Sequence, residues 1–114
     1  MSSRSLSGPA AVRVHASVFA ALGDETRLAM VAKLAGGQAQ SIARLTAGTA
    51  LTRQAVTKHL RVLEDAGVVR SMRVGRESQF ALEPKPIVDI RDYLATVSAQ
   101  WDDALARLKS FVED

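Results

Sequence analysis

The sequence predicts a mainly α-helical domain with one small β-hairpin, an α+β fold of about five helices and two or three strands. Residues 51–69 indicate this first, because a capped amphipathic helix there ends at a glycine and runs directly into β-branched residues. Residues 87–114 indicate it second, because they hold a sustained apolar repeat without glycine or proline. The length of 114 residues fits one domain with a modest core, and 47% hydrophobic residues argue against global disorder.

Residues 1–9 are expected to form a disordered N-terminal tail, and residues 10–114 a single domain. The tail lacks the apolar stretch of a secretory signal, and no apolar run approaches the ~18 residues of a membrane span. We therefore expect a cytoplasmic protein without membrane contact. A first helix is predicted around four apolar residues on related faces, Val14, Val18, Phe19 and Leu22.

A second helix is predicted after Asp24, whose carboxylate can cap the first turn. Leu28, Val31 and Leu34 are expected to face the core. The pair Gly36–Gly37 is expected to end the helix, because glycine adopts the left-handed conformation without steric cost.

Residues 41–66 predict a helix-turn-helix arrangement. Ser41 can cap a short helix in which Ile42 and Leu45 form an apolar pair at i and i+3. Residues 46–50 contain a glycine and form the turn that leads into the next helix.

The second helix of this arrangement is expected to begin after Thr52 as N-cap and to end before Gly67. At about 100° per residue, its two sides differ in chemistry. The apolar side holds Val56, Leu60 and Leu63, and the opposite side holds Gln54, Lys58 and Arg61. Such a polar side can address a duplex groove, since Arg and Lys bind guanine edges or phosphates and Gln pairs with adenine.

A hairpin is predicted downstream, with strands at residues 68–74 and 78–82 around a turn at residues 75–77. The turn contains Gly75, which can supply a positive φ. The hairpin carries three basic residues, Arg70, Arg73 and Arg76. Beside a basic helix, this wing can reach backbone phosphates or the neighbouring minor groove.

The C-terminal segment predicts a long helix that begins near Pro84 and Pro86. Its apolar residues are spaced alternately by three and four, as Ile87, Ile90, Leu94, Val97, Trp101, Ala104, Leu108 and Phe111. At ~1.5 Å per residue the helix is on the order of 40 Å long, more than one small domain can cover. We therefore expect part of this heptad face, together with the first helix, to pack against a second copy of the chain.

Positive charge is concentrated in the middle of the chain. Residues 44–76 hold seven Arg or Lys and two acidic residues, whereas residues 77–114 hold four basic and eight acidic residues. The overall net charge is only +3, so the +5 of the middle segment is the informative quantity. It lies on the predicted helix and hairpin and points to a nucleic-acid partner.

Three motifs together carry a family resemblance. Residues 52–69, TRQAVTKHLRVLEDAGVV, are followed by Gly75, Arg76 and the aromatic Phe80, and residues 20–28 read AALGDETRL. This pattern, over roughly residues 15–83, resembles the ArsR-type winged-helix transcriptional regulators. The resemblance implies a homodimeric, cytoplasmic protein that binds operator DNA, usually a repressor released by an inducer.

The sequence therefore predicts a homodimeric regulator that binds double-stranded DNA at a pseudo-palindromic operator. The expected DNA-binding residues are Thr52, Arg53, Gln54, Thr57, Lys58, His59, Arg61, Arg70, Arg73 and Arg76. The expected dimerisation residues are Val14, Val18, Phe19, Ile87, Ile90, Leu94, Val97, Trp101 and Leu108.

Metal and enzyme chemistry find little support in the sequence. There is no cysteine, and the only histidines are His15 and His59, whereas soft-metal and zinc sites need such donors. This departs from the metal-sensing members of the resembled family, so we expect no metal and no cofactor. We also expect no catalysis, because no nucleophile stands beside a base and no glycine-rich phosphate loop follows a strand.

Two questions stay open at this stage. Release from DNA can depend on a small organic inducer near the dimer helices, on another protein, or on the concentration of the regulator alone. The alternative function is a winged-helix interaction module that binds a partner protein through the long C-terminal helix, with incidental nucleic-acid affinity. Its support is Trp101 and the acidic C-terminal third of the chain.

Overall fold

The computed structural model describes residues 8–113, which form five helices and a three-stranded antiparallel sheet. The helices are α1 Pro9–Leu22, α2 Glu25–Leu34, α3 Ile42–Thr46, α4 Arg53–Asp65 and α5 Pro84–Glu113. The strands are β1 Gln40–Ser41, β2 Val69–Val74 and β3 Glu77–Leu82, in the order β1-β3-β2. The predicted α+β fold with a winged helix-turn-helix is confirmed.

The chain enters α1 through Gly8, which is the N-cap, and Pro9, which is the first helical residue. Proline suits this position because its φ is preset and the first helical N–H needs no intrahelical partner. The helix thus begins inside the segment predicted as a tail, and residues 1–7 of that segment lie outside the described residues. Within residues 8–113, no helix is both long and apolar enough to cross a membrane.

All three predicted N-caps are confirmed by side-chain hydrogen bonds. The Asp24 carboxylate accepts the backbone N–H of Arg27 at 3.0 Å. The Ser41 hydroxyl oxygen accepts the N–H of Arg44 at 3.1 Å, and the Thr52 hydroxyl oxygen accepts the N–H of Ala55 at 3.0 Å. Each cap satisfies a first-turn donor that the helix itself leaves unpaired, so the sequence sets where α2, α3 and α4 begin.

The end of α4 is set by Gly67, whose φ is +78°. The N–H of Gly67 donates to the carbonyl of Glu64 at 2.9 Å, and the N–H of Val68 donates to the carbonyl of Leu63 at 2.9 Å. These two bonds form a Schellman motif, which closes the helix and turns the chain away from its axis. The chain therefore passes directly from α4 into β2.

The wing is a hairpin of β2 and β3 in which Val74 pairs with Glu77 across the two-residue loop Gly75–Arg76. Gly75 has φ +64°, as the first position of a type II′ turn requires. The short strand β1 pairs with the outer edge of β3, with Gln40 opposite Phe80. The predicted hairpin is confirmed, and β1 adds a third strand to its sheet.

The core lies between the helices and the inner face of the sheet. It contains the three predicted apolar residues of α4 and side chains from all other helices and from the hairpin. Its buried members are Val18, Ala21, Met30, Leu34, Leu45, Val56, Leu60, Leu63, Val68, Val69, Phe80 and Ile90. Phe80 is the only aromatic residue in this buried set, so aliphatic packing supplies most of the burial.

One core prediction is wrong. Leu28 was expected to face the core, but 54% of its surface is exposed, while Met30 is buried in its place. The buried face of α2 is set by Met30 and Leu34, with the half-buried Val31 beside them. Leu28 lies about 110° from the centre of this arc. The local pattern could not choose between the two leucine-containing faces, because the packing of α1 and α4 decides which one is covered.

The helix α5 is 30 residues long, which corresponds to about 45 Å. Near its start, Ile90 is buried and Ile87 is half-buried against the core. Farther along, Trp101 and Leu108 are 62% and 58% exposed. The chain's own core therefore covers only the first part of the apolar repeat of α5.

A buried imidazole lies where α1 meets α5. His15 is only 6% exposed, and neither of its ring nitrogens has a hydrogen-bond partner among the described residues. Its ring packs against the ring of Tyr93, with centroids 4.7 Å apart and planes tilted by 31°. The aromatic contact stabilises the ring, whereas the two unpartnered nitrogens destabilise it.

Replacing His15 with phenylalanine is expected to raise the free energy of unfolding by about 1 kcal/mol, because the variant keeps the aromatic contact and removes two buried polar atoms without partners. Urea unfolding of both proteins at pH 8, where a free imidazole is neutral, measures this difference. A loss of stability in the variant would show that the ring nitrogens are satisfied in solution.

Candidate nucleic-acid interface

The exposed face of α4 forms one continuous surface, which we call the basic face. It is lined by Thr52, Arg53, Gln54, Ala55, Thr57, Lys58 and Arg61. The opposite face of the same helix carries the fully buried side chains of Val56, Leu60 and Leu63. Because the apolar side is held in the core, the basic side must face solvent.

The side chains of the basic face are free to bind a ligand. Arg53, Gln54, Lys58 and Arg61 are exposed, and none of the three cations is paired with a carboxylate within residues 8–113. Thr57 is half-buried, and its hydroxyl donates to the carbonyl of Arg53 at 2.7 Å. This hydroxyl therefore offers an outside group its acceptor oxygen and not its hydrogen.

The turn between α3 and α4 is held by its own side chains. Thr46 donates to the carbonyl of Ile42 at 2.7 Å, and Thr49 donates to the carbonyl of Thr46 at 2.6 Å. The Thr49 hydroxyl oxygen in turn accepts the N–H of Leu51 at 3.2 Å, and Gly48 supplies a φ of +79°. With Leu45 buried below it, this turn holds the N-terminus of α4 in one orientation relative to α3.

The wing places only part of its positive charge next to α4. The Ser71 hydroxyl donates to the carboxylate of Glu64 at 2.8 Å, so this face of β2 is turned toward α4. Side chains alternate along a strand, and Arg73 therefore lies on the same face as Ser71. Its cross-strand partner Ser78 lines a groove together with Arg61. Arg73 is thus on the α4 side of the hairpin, with Arg76 exposed at its tip.

Arg70 lies on the other face of the hairpin, away from Arg73. It is the residue directly before Ser71 and lies three positions before Arg73, so the alternation turns it away from α4. Its guanidinium also lies 4.0 Å from the carboxylate of Glu83. The even spacing of three arginines along the sequence therefore does not place them on one surface.

Sequence reasoning missed the two serines of the groove between α3, α4 and the wing, and the two acidic residues of α4 that also line it. This groove is lined by Ile42, Thr57, Arg61, Glu64, Asp65, Ser71, Ser78 and Phe80. Ser71 and Ser78 could have been found by applying strand alternation to the hairpin and asking which residues share a face with Arg73. The hairpin register, which the turn position implies, was the available signal.

His59, which the sequence also predicts as a DNA-binding residue, does not line the basic face. Its Nδ1 lies 3.3 Å from Nη1 of Arg27 and 3.8 Å from Oδ2 of Asp24. The imidazole is therefore turned toward the start of α2, and not toward the side of α4 that holds Lys58. The α4 position of His59, between the two faces, is what left its direction undecided in the sequence.

The charges around Asp24 lower the pKa of its carboxyl group. The main cause is the hydrogen bond from the backbone N–H of Arg27, and the positive charge of Arg27 acts in the same direction, as would that of a protonated His59. These effects outweigh the loss of hydration, which raises the pKa. Asp24 is therefore ionised at neutral pH and can serve as N-cap of α2 and as partner of a cation.

The predicted dimerisation residues fall into three groups by burial. Val18 and Ile90 are buried in the chain's own core, so they are not accessible to a second chain. Phe19, Ile87 and Val97 are half-buried. The exposed members are Val14, Leu94, Trp101 and Leu108, and the apolar residues Leu105, Phe111 and Val112 extend this exposed surface on α5.

Comparison with known proteins identifies the family. A helix-turn-helix domain family matches residues 22–71. The HTH-type transcriptional regulator YuzN of Bacillus subtilis is 35% identical over 80 residues, which are 65% of this chain and 87% of that protein. An ArsR-like transcriptional regulator from Rhodococcus sp. RHA1 superposes with a TM-score of 0.78 at 36% identity, over 90% of this chain and 95% of that one. The chain belongs to the ArsR family of winged helix-turn-helix transcriptional regulators.

A further relative of this ArsR-family regulator shares the fold at lower identity. It is the homodimeric winged helix-turn-helix DNA-binding domain of a possible ArsR-family regulator from Mycobacterium bovis, with a TM-score of 0.64 at 24% identity, over 92% of this chain and 94% of that one. The matched helix-turn-helix segment ends at residue 71, so it holds α2, α3 and α4 but stops before Arg73 and Arg76.

Proposed function

We propose that this ArsR-family regulator is a homodimeric repressor that binds a pseudo-palindromic operator through residues 52–66 and the wing at residues 68–82. The observation that carries the proposal is the basic face of α4, whose cations are exposed and without carboxylate partners among residues 8–113. At Thr57 and Arg61 this face meets the groove that Ser71 and Ser78 of the wing line. Desolvating unpaired guanidinium and ammonium groups is favourable only against an anion, and a duplex supplies a regular array of them.

Base recognition is assigned to the first half of α4. Arg53, Gln54 and Lys58 lie in its first two turns, at the end that a recognition helix inserts into the major groove. Gln54 can pair with N6 and N7 of adenine, and the two cations can reach guanine O6 and N7 or an adjacent phosphate. Arg61 lies about one turn further along α4 and is assigned to a phosphate of the DNA backbone.

Backbone contact is also assigned to the wing. Arg76 is exposed at the hairpin tip and Arg73 lies on the α4 side, so both can reach phosphates that flank the groove occupied by α4. Arg70 contributes only to the general positive field, because it faces away and lies beside Glu83. Two arginines at fixed positions on a short hairpin set the register of the protein on the duplex.

Dimerisation is assigned to the exposed apolar surface of α5 with Val14 and Phe19 of α1. The surface continues from the core-packed start of α5 to its far end, so a second copy can cover what the first leaves exposed. A two-fold axis along α5 would place the two α4 helices about one helical turn of DNA apart, ~34 Å. The related domain from Mycobacterium bovis is homodimeric, which supports this arrangement.

Selection of bound duplexes from a random library, followed by a shift assay with the purified chain, tests the proposal. A regulator of this kind is expected to prefer the selected duplex over random duplex by ~10³-fold or more at physiological salt. The selected sequences are expected to contain two inverted half-sites. Absence of any preference would favour the alternative, an interaction module that binds a partner protein through the exposed Trp101 region.

Replacing Gln54 with alanine is expected to relax base preference at one position of each half-site, at a cost of about 1–3 kcal/mol for the preferred base. The variant loses a bidentate pair with one base but keeps every phosphate contact. Shift assays on the selected duplex and on duplexes mutated at single positions measure the effect. Equal losses on selected and random duplex would contradict the role of Gln54 in reading bases.

Replacing Arg76 with alanine is expected to weaken binding to all duplexes alike and to reduce the slope of log affinity against log salt by about one unit. The reason is that one phosphate contact, with its released counterion, is lost. The matched control is Arg91→Ala on α5, where the guanidinium already lies 3.1 Å from Asp92. An unchanged salt slope for Arg76→Ala would place the wing tip away from the DNA.

A further inference from the structure

Arg27 joins three helices at one point of the fold. Its Nε donates to the carbonyl of Ala21 at 2.6 Å, and its Nη2 donates to the carbonyl of Ala20 at 3.4 Å. Both carbonyls belong to the last turn of α1, whereas Arg27 itself belongs to the first turn of α2. The remaining nitrogen, Nη1, lies 3.3 Å from Nδ1 of His59 in the middle of α4. The guanidinium thus connects the end of α1 to the helix that carries the basic face.

The protonation state of His59 decides whether this connection exists. A guanidinium has five N–H donors and no acceptor, so Nδ1 of His59 must act as the acceptor. This requires a neutral ring with its proton on Nε2. An imidazolium donates from both nitrogens and carries a positive charge, so it would lose the bond to Arg27 and be repelled by it.

A second partner, which suits the protonated ring, lies near Nδ1 of His59. Oδ2 of Asp24 lies 3.8 Å from the same Nδ1 and already accepts the backbone N–H of Arg27 at 3.0 Å. Asp24 is ionised at neutral pH, and its pKa is lowered further, chiefly by that backbone hydrogen bond. The other charged group beside Arg27 is Asp65 of α4, which lines a groove with it. When Nδ1 is protonated, His59 therefore exchanges Arg27 for the carboxylate of Asp24, which is the N-cap of α2.

We propose that His59 is a proton-dependent positioning residue for DNA recognition, which holds α4 to the end of α1 through Arg27 when neutral and releases it when protonated. The proposal rests on the proposed function, because it concerns the orientation of the same basic face. Imidazole is the side chain that ordinarily titrates between pH 5 and 8. Affinity for the operator decreases as the pH falls, because α4 loses one of the contacts that fix its orientation relative to α1.

The tautomer of His59 can be measured without DNA. Long-range ¹⁵N–¹H correlation spectra of the ¹⁵N-labelled chain at pH 8 are expected to show His59 with its proton on Nε2. The variant His15→Phe assigns the signals, since the chain has only two histidines. A dominant Nδ1–H tautomer at pH 8 would overturn the proposal, because that nitrogen could not accept from Arg27.

The pH dependence of binding gives a second readout. Affinity for the selected duplex at constant salt is expected to fall by about fivefold or more between pH 8 and pH 6 in the unmodified chain. The control is His59→Asn, whose amide oxygen keeps an acceptor near the place of Nδ1 but does not titrate in this range. We expect its affinity to change by less than about twofold over the same interval, and His15→Phe to behave as the unmodified chain.

The outcomes separate the competing roles of His59. Tighter binding at pH 6 would indicate a phosphate contact, since an imidazolium attracts DNA, and would overturn the positioning role. The same pH profile for the unmodified chain and His59→Asn would overturn it as well. If selection yields no preferred duplex, the proposed function fails, whereas the tautomer measurement still decides whether His59 accepts from Arg27.

Discussion

Replacing Trp101 and Leu108 together with lysine is expected to convert the dimer into a monomer and to lower affinity for a duplex with two half-sites by about 100-fold or more. These side chains are 62% and 58% exposed in the single chain, so they contribute little to its own core. In the proposed dimer they lie along the two-fold axis, where buried lysines without partners would repel each other. Loss of the second half-site then removes the effective concentration that links the two binding events.

Sedimentation velocity at micromolar protein concentration measures the oligomeric state, and shift assays on one and two half-sites measure the affinity. The matched control is Ala99→Lys with Ser110→Lys, which adds the same charge to exposed positions of α5 outside the apolar repeat. This control should stay dimeric. If the Trp101 and Leu108 variant also stays dimeric, or if the unmodified chain is monomeric, α5 does not form the contact we propose.

Replacing Leu60 with alanine is expected to lower the free energy of unfolding by about 2–5 kcal/mol. Leu60 is completely buried in the core, on the face of α4 opposite the basic face. The truncation removes apolar contacts and leaves a cavity that α1, α2 and the sheet cannot fully close. A loss of this size is a large share of the stability of a domain of this length, so the variant should be partly unfolded at 37 °C.

Urea unfolding at one fixed protein concentration measures this difference, because dimerisation makes stability depend on concentration. The control is Leu28→Ala, which makes the same chemical change at a position that is 54% exposed. We expect it to cost less than about 1 kcal/mol. Similar losses for the two variants would contradict the orientation of α2 about its axis, and would place Leu28 in the core as the sequence predicted.

The buried face and the basic face of α4 are expected to have separate roles, the first in stability and the second in DNA binding. Leu60 and its apolar neighbours anchor the helix, whereas Gln54 and Lys58 lie on the solvent side. Substitutions on the basic face should therefore change DNA affinity with little change in stability. His59 lies between the two faces and contacts Arg27, and for this reason a change there affects the orientation of the helix.

Much of the candidate site was predictable because its information is local. The hydroxyl of Thr52 and the missing Cβ of Gly67 determine where α4 begins and ends, through bonds within a few residues. The spacing of Val56, Leu60 and Leu63 determines which side is buried. Once these are known, the exposed direction of Gln54 and Lys58 follows without any knowledge of the rest of the fold.

The side-chain directions that the sequence left undecided share one physical cause. Leu28 and His59 lie at the edges of their helices' apolar arcs, and Arg70 lies on a strand whose two faces are both partly polar. At such positions the local pattern is nearly balanced, so distant contacts decide the direction of the side chain. The contact of His59 with Arg27 spans 32 residues, and no periodic signal records it.

The amino-acid sequence by itself determined the family, the boundaries of α4 and the positive charge of its basic face, because capping, periodicity and composition act over one or two turns. Only the tertiary structure decided that Leu28 is exposed, that Arg70 faces away from α4 and that His59 meets Arg27. These outcomes depend on how α1, α2, α4 and the wing pack against one another, and packing selects among faces that the local sequence leaves nearly equal in energy.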